Sequence, residues 1–276
     1  MLEHKTIGFI GAGSMAEAIL EGLITEKKVK PHQVSMVNRQ NRARIKEICQ
    51  KYGLDGTRQS EENVAGAEIV ILAVKPKDTA GVLKKWGVRL RDGQILISAV
   101  AGITTEFIEN YIQNRVSVMR VMPNTSCRVG RSATAMSKGS RATREAVEIT
   151  REIFSTIGLV VTVEEALMDA VTGLSGSGPA YIYTLTEAME SAGVSAGLDP
   201  ETARMLTVQT LLGAAHMLME SGKDARQLCE EVTSPGGTTM AGLQALRDYR
   251  FDEAVKAAVL KAAKRAGELG KQHASF

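Results

Sequence analysis

The sequence predicts an α/β part built on a parallel sheet, followed by an all-α part. Three observations carry that reading. Short β-branched runs alternate with helical patterns up to about Val163, strand-like runs stop there, and a glycine-rich turn joins the first run to the first amphipathic stretch. Such alternation is what a parallel sheet with crossover helices requires.

Strands are expected at residues 6–10, 34–37, 69–74, 95–99, 116–121, 133–136 and 160–163. Between the first two, Met15, Ile19, Leu20, Leu23 and Ile24 recur at helical spacing, which gives an amphipathic helix with one apolar face for the sheet. Beyond Val163 the period is helical over 165–174, 179–192, 200–219, 225–232, 238–246 and 252–269, with Gly, Pro or Asp at the breaks. The domain boundary therefore falls near Glu164, giving domains 1–163 and 164–276.

The stretch 205–219 is the most apolar of the second domain, but it contains Gln209, Thr210 and His216 and is shorter than the roughly 20 apolar residues a membrane span needs. It reads as a buried helix. Met205, Leu206, Val208, Leu211, Leu212, Ala215, Met217, Leu218 and Met219 cover more than one face of it, so it needs cover on several sides. An interwoven homodimer would supply that cover; a central helix in a monomeric bundle is the alternative.

At 276 residues the chain exceeds what one compact core usually fills, in keeping with two domains. A net charge of +3, with basic residues scattered among acidic ones, argues against nucleic acid as a partner. Cys49, Cys127 and Cys229 are odd in number and far apart and read as reduced thiols. His4, His32, His216 and His273 are isolated as well, so no converging ligand set implies a metal. The apolar residues 7–10 run straight into the glycine turn without a secretory hydrophobic region, which predicts a cytoplasmic protein with no membrane partner. Glycine, at 26 residues, exceeds the average of about 7%, and the excess needs a reason.

The glycine turn is Gly11-Ala12-Gly13-Ser14-Met15-Ala16, a GxGxxA pattern directly after a strand and directly before a helix. That context turns a weak motif into a dinucleotide-binding one. Gly11 permits the tight turn, Gly13 lets backbone approach a pyrophosphate, Ala16 allows close packing, and the helix N-terminus favours the anion. The N-terminal domain is thus expected to be Rossmann-like.

An acidic residue ending the second strand would bind the ribose hydroxyl of NAD, but Asn38-Arg39-Gln40-Asn41 stands there, followed by Arg42 and Arg44. A guanidinium pairs with a 2′-phosphate, so the expected cofactor is NADPH, with NADH less preferred and Arg39 as the main contact. A solvated basic helix start is the alternative. Ala73-Val74-Lys75-Pro76 ends the third strand, Ser98-Ala99-Val100-Ala101-Gly102 the fourth and Met122-Pro123-Asn124-Thr125 the fifth. Ligands of open parallel sheets lie at these carboxyl ends, so the segments either line the cofactor or serve as ordinary loops.

Two further glycine clusters occupy the helical half: Gly173-Leu174-Ser175-Gly176-Ser177-Gly178-Pro179-Ala180-Tyr181 and Ser234-Pro235-Gly236-Gly237-Thr238-Thr239. The second is either an N-cap turn or a cradle whose free N–H groups hold a substrate carboxylate.

Both clusters, with the flanking residues 171–172 and 231–233, resemble the signatures of pyrroline-5-carboxylate reductases. The segments GFIGAGSM, AVKP and RVMPNT follow that family's order, so the resemblance covers nearly the whole chain. It implies reduction of 1-pyrroline-5-carboxylate to L-proline, the last step of proline biosynthesis. It also implies an all-α dimerisation domain and a homodimer or a higher oligomer of dimers, with each active site formed by one subunit's cofactor domain and helices of its partner. By motif, Ile10, Gly11, Ala12, Gly13, Ser14 and Met15 would contact the pyrophosphate, Asn38 and Arg39 the 2′-phosphate region, and Ser60 the adenosine ribose. Ala73, Val74, Lys75, Pro76, Ala99, Val100, Ala101 and Asn124 would line the rest of the cofactor site. Glu165, Ser234, Gly236, Gly237, Thr238 and Thr239 would surround the substrate. The N–H groups of Gly237 and Thr238 would take the carboxylate, and the Thr239 hydroxyl the ring nitrogen.

A protonated cyclic imine is already a good hydride acceptor, so positioning can dominate catalysis, which fits the lack of an evident His or Lys base. A 3-hydroxyacid dehydrogenase is the nearest rival, with the pattern GxxGxGxxxK. Gly173, Gly176 and Gly178 match it, but Ile182 stands where the catalytic lysine belongs. A non-catalytic NADP-sensing module would not need the turn at 234–239.

Overall fold

The computed structural model describes residues 1–39 and 41–274, with side chains to Gln272; Gln40 and the His273 side chain lie outside the described residues. Two compact units result, Met1–Ser177 together with the chain from Leu260 onward, and Gly178–Val259.

The first unit holds a seven-stranded sheet. Its strands are β1 Ile7–Ile10, β2 Val34–Val37, β3 Ile69–Leu72, β4 Ile95–Ser98, β5 Ser117–Met122, β6 Ser132–Lys138 and β7 Gly158–Thr162, in the spatial order β2-β1-β3-β4-β5-β6-β7. The strands β1 to β4 are buried almost throughout, which is why they read as unbroken β-branched and aliphatic runs. Between and after the strands lie helices α1 Ser14–Thr25, α2 Arg42–Tyr52, α3 Glu61–Gly66, α4 Thr79–Trp86, α5 Thr105–Glu109, α6 Arg144–Ser155 and α7 Met168–Val171. One core cluster gathers Phe9, Ile19, Leu20, Leu23, Met36 and Phe154; a second gathers Leu72, Leu83, Trp86, Leu96 and Val118.

One expectation needs correction: the sheet is mixed, because β5 and β6 run antiparallel, while β6 and β7 are again parallel. Residues 123–131 are all that join β5 to β6. A parallel return needs about a dozen or more residues, usually a helix, so the chain turns back directly. The helix expected over 165–174 is also subdivided, into a 3₁₀ turn Glu165–Leu167, α7, and a π-helical turn Thr172–Gly176.

The second unit contains α8 Gly178–Ser195, α9 Pro200–Glu220, α10 Ala225–Glu231 and α11 Thr238–Asp248, and α12 Phe251–Ala274 begins in it and ends in the first unit. Asp199 caps α9 and Asp224 caps α10 through their carboxylates. Within one chain α9 is not buried, as expected of a helix whose cover comes from a second copy. It packs on α8, where Gly193 leaves just enough room for Ala203, but Met205, Leu206, Val208, Leu212, Met217, Leu218 and Met219 stay exposed. One neighbouring helix covers one face of a cylinder that is apolar on several. Among the described residues no helix is long and apolar enough to cross a membrane.

Candidate active site

Strand register gathers the predicted cofactor residues at one edge. Ile10 lies opposite Val37 and Leu72, Leu72 opposite Ser98, and all four strands point the same way. The segments that leave them, 11–15, 38–39, 73–76 and 99–101, therefore emerge along a single carboxyl edge. At its centre, Gly11 has a φ of +108°, and a Cβ there would stand 2.3 Å from the Ala73 carbonyl oxygen. Only glycine lets the β1 turn pass so close to the end of β3.

Gly13 is different: nothing lies within 4 Å of where its Cβ would be, so internal packing does not demand glycine. It is the N-cap of α1, and no side chain caps that helix. The first turn of a helix carries N–H groups without intrahelical acceptors and the positive end of the dipole. An open, uncapped, glycine-lined helix start is a cradle for a phosphate oxygen, and a Cβ would fill it.

Around this cradle the side chains sort by what already holds them. Arg44 is engaged by Glu17 and Glu47, so its guanidinium is committed. Arg39 is 73% exposed and, among the described residues, pairs with Asp78 at 3.5 Å, a surface contact that leaves it available at the end of β2. Ile10, Ala12 and Val100 are buried in the core, so what they can offer a ligand is backbone. Ser60 caps α3 by accepting from the Asn63 N–H at 3.2 Å. Asn124 accepts from the Ser126 N–H at 3.1 Å and donates to the Ser175 carbonyl at 3.0 Å, tying the end of β5 to the π-helical turn. Cys127 has its sulfur 4.0 Å from that of Met15, and burial pushes its thiol above the ordinary value. Among the described residues no group of three or more His, Cys, Asp or Glu could hold a metal.

In the second unit, Ser234, Pro235, Gly236 and Gly237 form the turn into α11. Gly236 has a φ of +69°, and the Gly237 N–H donates to the Ser234 carbonyl at 3.0 Å. Gly237 is the N-cap, and again no side chain caps the helix. The N–H of Gly237 is spent within the turn, so the uncommitted donors begin at Thr238 and include Thr239. Ser234 and Thr238 are exposed and Thr239 is half-buried.

Glu165 belongs to the first unit. Its Oε1 accepts from the Thr105 N–H at 2.8 Å and from Arg120 Nη1 at 3.1 Å, and its Oε2 accepts from the Thr105 hydroxyl. Neither Thr105 nor Arg120 is among the residues expected from sequence. A signal was present, since Arg120 is the one charged residue inside a strand that is otherwise read as buried.

Comparison with known proteins follows the same division. The profile of the pyrroline-5-carboxylate reductase dimerisation family matches residues 165–269, and that of the coenzyme F420-dependent NADP oxidoreductases matches 6–102. Pyrroline-5-carboxylate reductase 2 of Bacillus subtilis is 44% identical over 270 residues, 98% of this chain and 97% of the relative. The chain belongs to the pyrroline-5-carboxylate reductase family. The member from Arabidopsis thaliana is 39% identical, over 97% of this chain and 96% of its own length. Among solved structures, the reductase of Coxiella burnetii superposes with a TM-score of 0.87 at 34% identity, covering 96% of this chain and 98% of that one. The Plasmodium falciparum pyrroline carboxylate reductase with NADP bound superposes with a TM-score of 0.84 at 28% identity, covering 98% of this chain and all of the other. Like these reductases, the chain pairs a Rossmann-like domain with helices of the dimerisation type.

Proposed function

We infer that the chain reduces 1-pyrroline-5-carboxylate to L-proline with NADPH, the last step of proline biosynthesis. The observation that carries this reading is the pair of glycine-capped helix starts, α1 and α11, each without a side-chain cap. One suits a dinucleotide pyrophosphate and the other a small carboxylate.

NADPH, when bound, supplies the hydride. The chain's own residues hold and orient. The first-turn N–H groups of α1, at Ser14 and Met15, bind the pyrophosphate, with Gly11, Ala12 and Gly13 keeping the approach clear. Arg39 and Asn38 take the 2′-phosphate region. Ser60 retains its hydroxyl proton after capping α3 and offers it to the adenosine ribose. Val74, Lys75, Pro76 and the backbone of Ala99, Val100 and Ala101 form the wall, and Asn124 fixes its far end.

Ser234, Gly236, Gly237, Thr238 and Thr239 bind the substrate. Because the Gly237 N–H is used in the turn, the carboxylate falls to the donors from Thr238 onward, and Gly237 serves by its lack of a side chain. The Thr239 hydroxyl orients the ring nitrogen by hydrogen bonding and relays a proton to it from solvent. An iminium carbon needs no strong general acid or base, and alignment can supply much of the rate enhancement.

The domains are residues 1–163 for the cofactor and 164–276 for substrate and dimerisation, and the protein works in the cytoplasm as a homodimer in which α9 of each copy covers that of the other. The test is to follow NADPH absorbance with purified protein and pyrroline-5-carboxylate. Turnover is expected; no NADPH consumption beside turnover of a hydroxyacid would overturn the reading.

A further inference from the structure

The first unit holds an ion pair, buried on its arginine side, whose arginine has no task in the proposed reaction. Arg120 is 4% exposed, on the interior strand β5, and its Nη1 lies 3.1 Å from Glu165 Oε1. The carboxylate also holds Thr105 twice, through the backbone N–H at 2.8 Å and through the hydroxyl. Thr105 is itself buried and is the first residue of α5, immediately after the segment that leaves β4. Glu165 therefore joins three pieces far apart in sequence: the strand β5, the start of α5, and the 3₁₀ turn after β7.

A buried guanidinium is tolerated only when its charge is met and its donors are used, and removing one partner of such a pair leaves an uncompensated charge. Glu165 meets that charge and also accepts twice from a single residue, Thr105. The segment anchored by Thr105 is short. It runs from Ser98, which lies opposite Arg120 in the β4–β5 register, through Ala99, Val100 and Ala101 to Thr104, which caps α5. Both ends of the segment are thus referred to Arg120: one by strand pairing, the other through Glu165.

We propose that Arg120 and Glu165 are positioning residues that, through Thr105, hold the β4–α5 segment in the shape that receives the nicotinamide end of the cofactor. This rests on the cofactor reading above.

The test compares Thr105→Val, Thr105→Ser and Glu165→Gln with the parent protein. Thr105→Val keeps the N–H and the approximate volume but removes the hydroxyl donor; Thr105→Ser restores it. The Kd for NADPH is measured by fluorescence titration without substrate, and hydrogen exchange is followed over residues 99–105 in the free protein. The expected result is a 5- to 20-fold weaker Kd for NADPH in Thr105→Val and Glu165→Gln, a KM for pyrroline-5-carboxylate within twofold of the parent in Thr105→Val, faster exchange confined to the segment, and recovery in Thr105→Ser. A raised substrate KM with unchanged NADPH affinity in Thr105→Val and Glu165→Gln would overturn the proposal. Uniformly faster exchange with unchanged NADPH affinity would overturn it too, leaving only a stabilising pair. Failure of the parent protein itself to bind NADPH would instead strike at the cofactor reading.

Discussion

The two compact units use similar aliphatic residues to opposite effect. In the first, Phe9, Ile19, Leu20, Met36, Ile69, Ile71 and Leu72 are fully buried by the chain's own layers of sheet and helix. In the second, between Gly178 and Val259, only Ala203 and Thr207 are buried, while α9 leaves Met205, Leu206, Leu212 and Met219 open to water. A contiguous apolar surface of that kind marks an association site rather than a finished core. The comparison teaches that the two halves draw stability from different sources, one from intrachain packing and one from a second copy. Only the second should depend on protein concentration.

Leu212→Asp should break this contrast with the largest effect. A carboxylate in the middle of the proposed α9 contact would be desolvated without a partner, and light scattering should show one-chain particles where the parent shows two. Loss of NADPH oxidation with pyrroline-5-carboxylate should accompany it, while NADPH binding persists. Ile71→Ala should cost about 2–5 kcal/mol. That loss should appear as a lower unfolding temperature at every protein concentration.

Arg39→Ala sharpens the picture within the first unit. It should raise the KM for NADPH about tenfold, a difference of about 1.4 kcal/mol, and leave that for NADH nearly unchanged. Equal effects on the two cofactors would remove the 2′-phosphate role.

The smallest effect concerns the surface cluster joining α1 to α2. Burial opposes ionisation of Glu17, but Lys51 and Arg44 outweigh it and hold the carboxyl below its ordinary value of 4.5. A lowered folded-state pKa means the contribution is present above the unfolded value and fades as pH falls through the folded one. Glu17→Gln should therefore lose at most about 1 kcal/mol at pH 7. The melting temperatures of parent and variant should converge below pH 4.5.

What was legible in the sequence follows from the range of the interactions involved. Strand positions were readable because burial on both faces selects unbroken runs such as Ile69-Val70-Ile71-Leu72. The cradle at Gly13 was readable because its chemistry is local to one turn. The reversed direction of β6 was not, since strand period is blind to direction and the clue lay in the length of the connection. The ties of Asn124 to Ser175, and of Glu165 to Thr105 and Arg120, were not readable either. Each spans tens of residues and exists only once the sheet has formed. Asn124 and Glu165 could be matched to a family motif, but the motif does not say that their side chains hold the fold together.

The return of α12 has a consequence for how the chain survives cutting. Gly270 approaches the loop after β4 so closely that a Cβ there would stand 2.7 Å from the Gly102 carbonyl oxygen, which makes the last turns of α12 a structural part of the first unit. The residues 178–259 are therefore an insertion between two portions of one folded body. A protease that nicks the exposed turn at residues 221–224 should leave two fragments that travel together on a sizing column and separate only in denaturant.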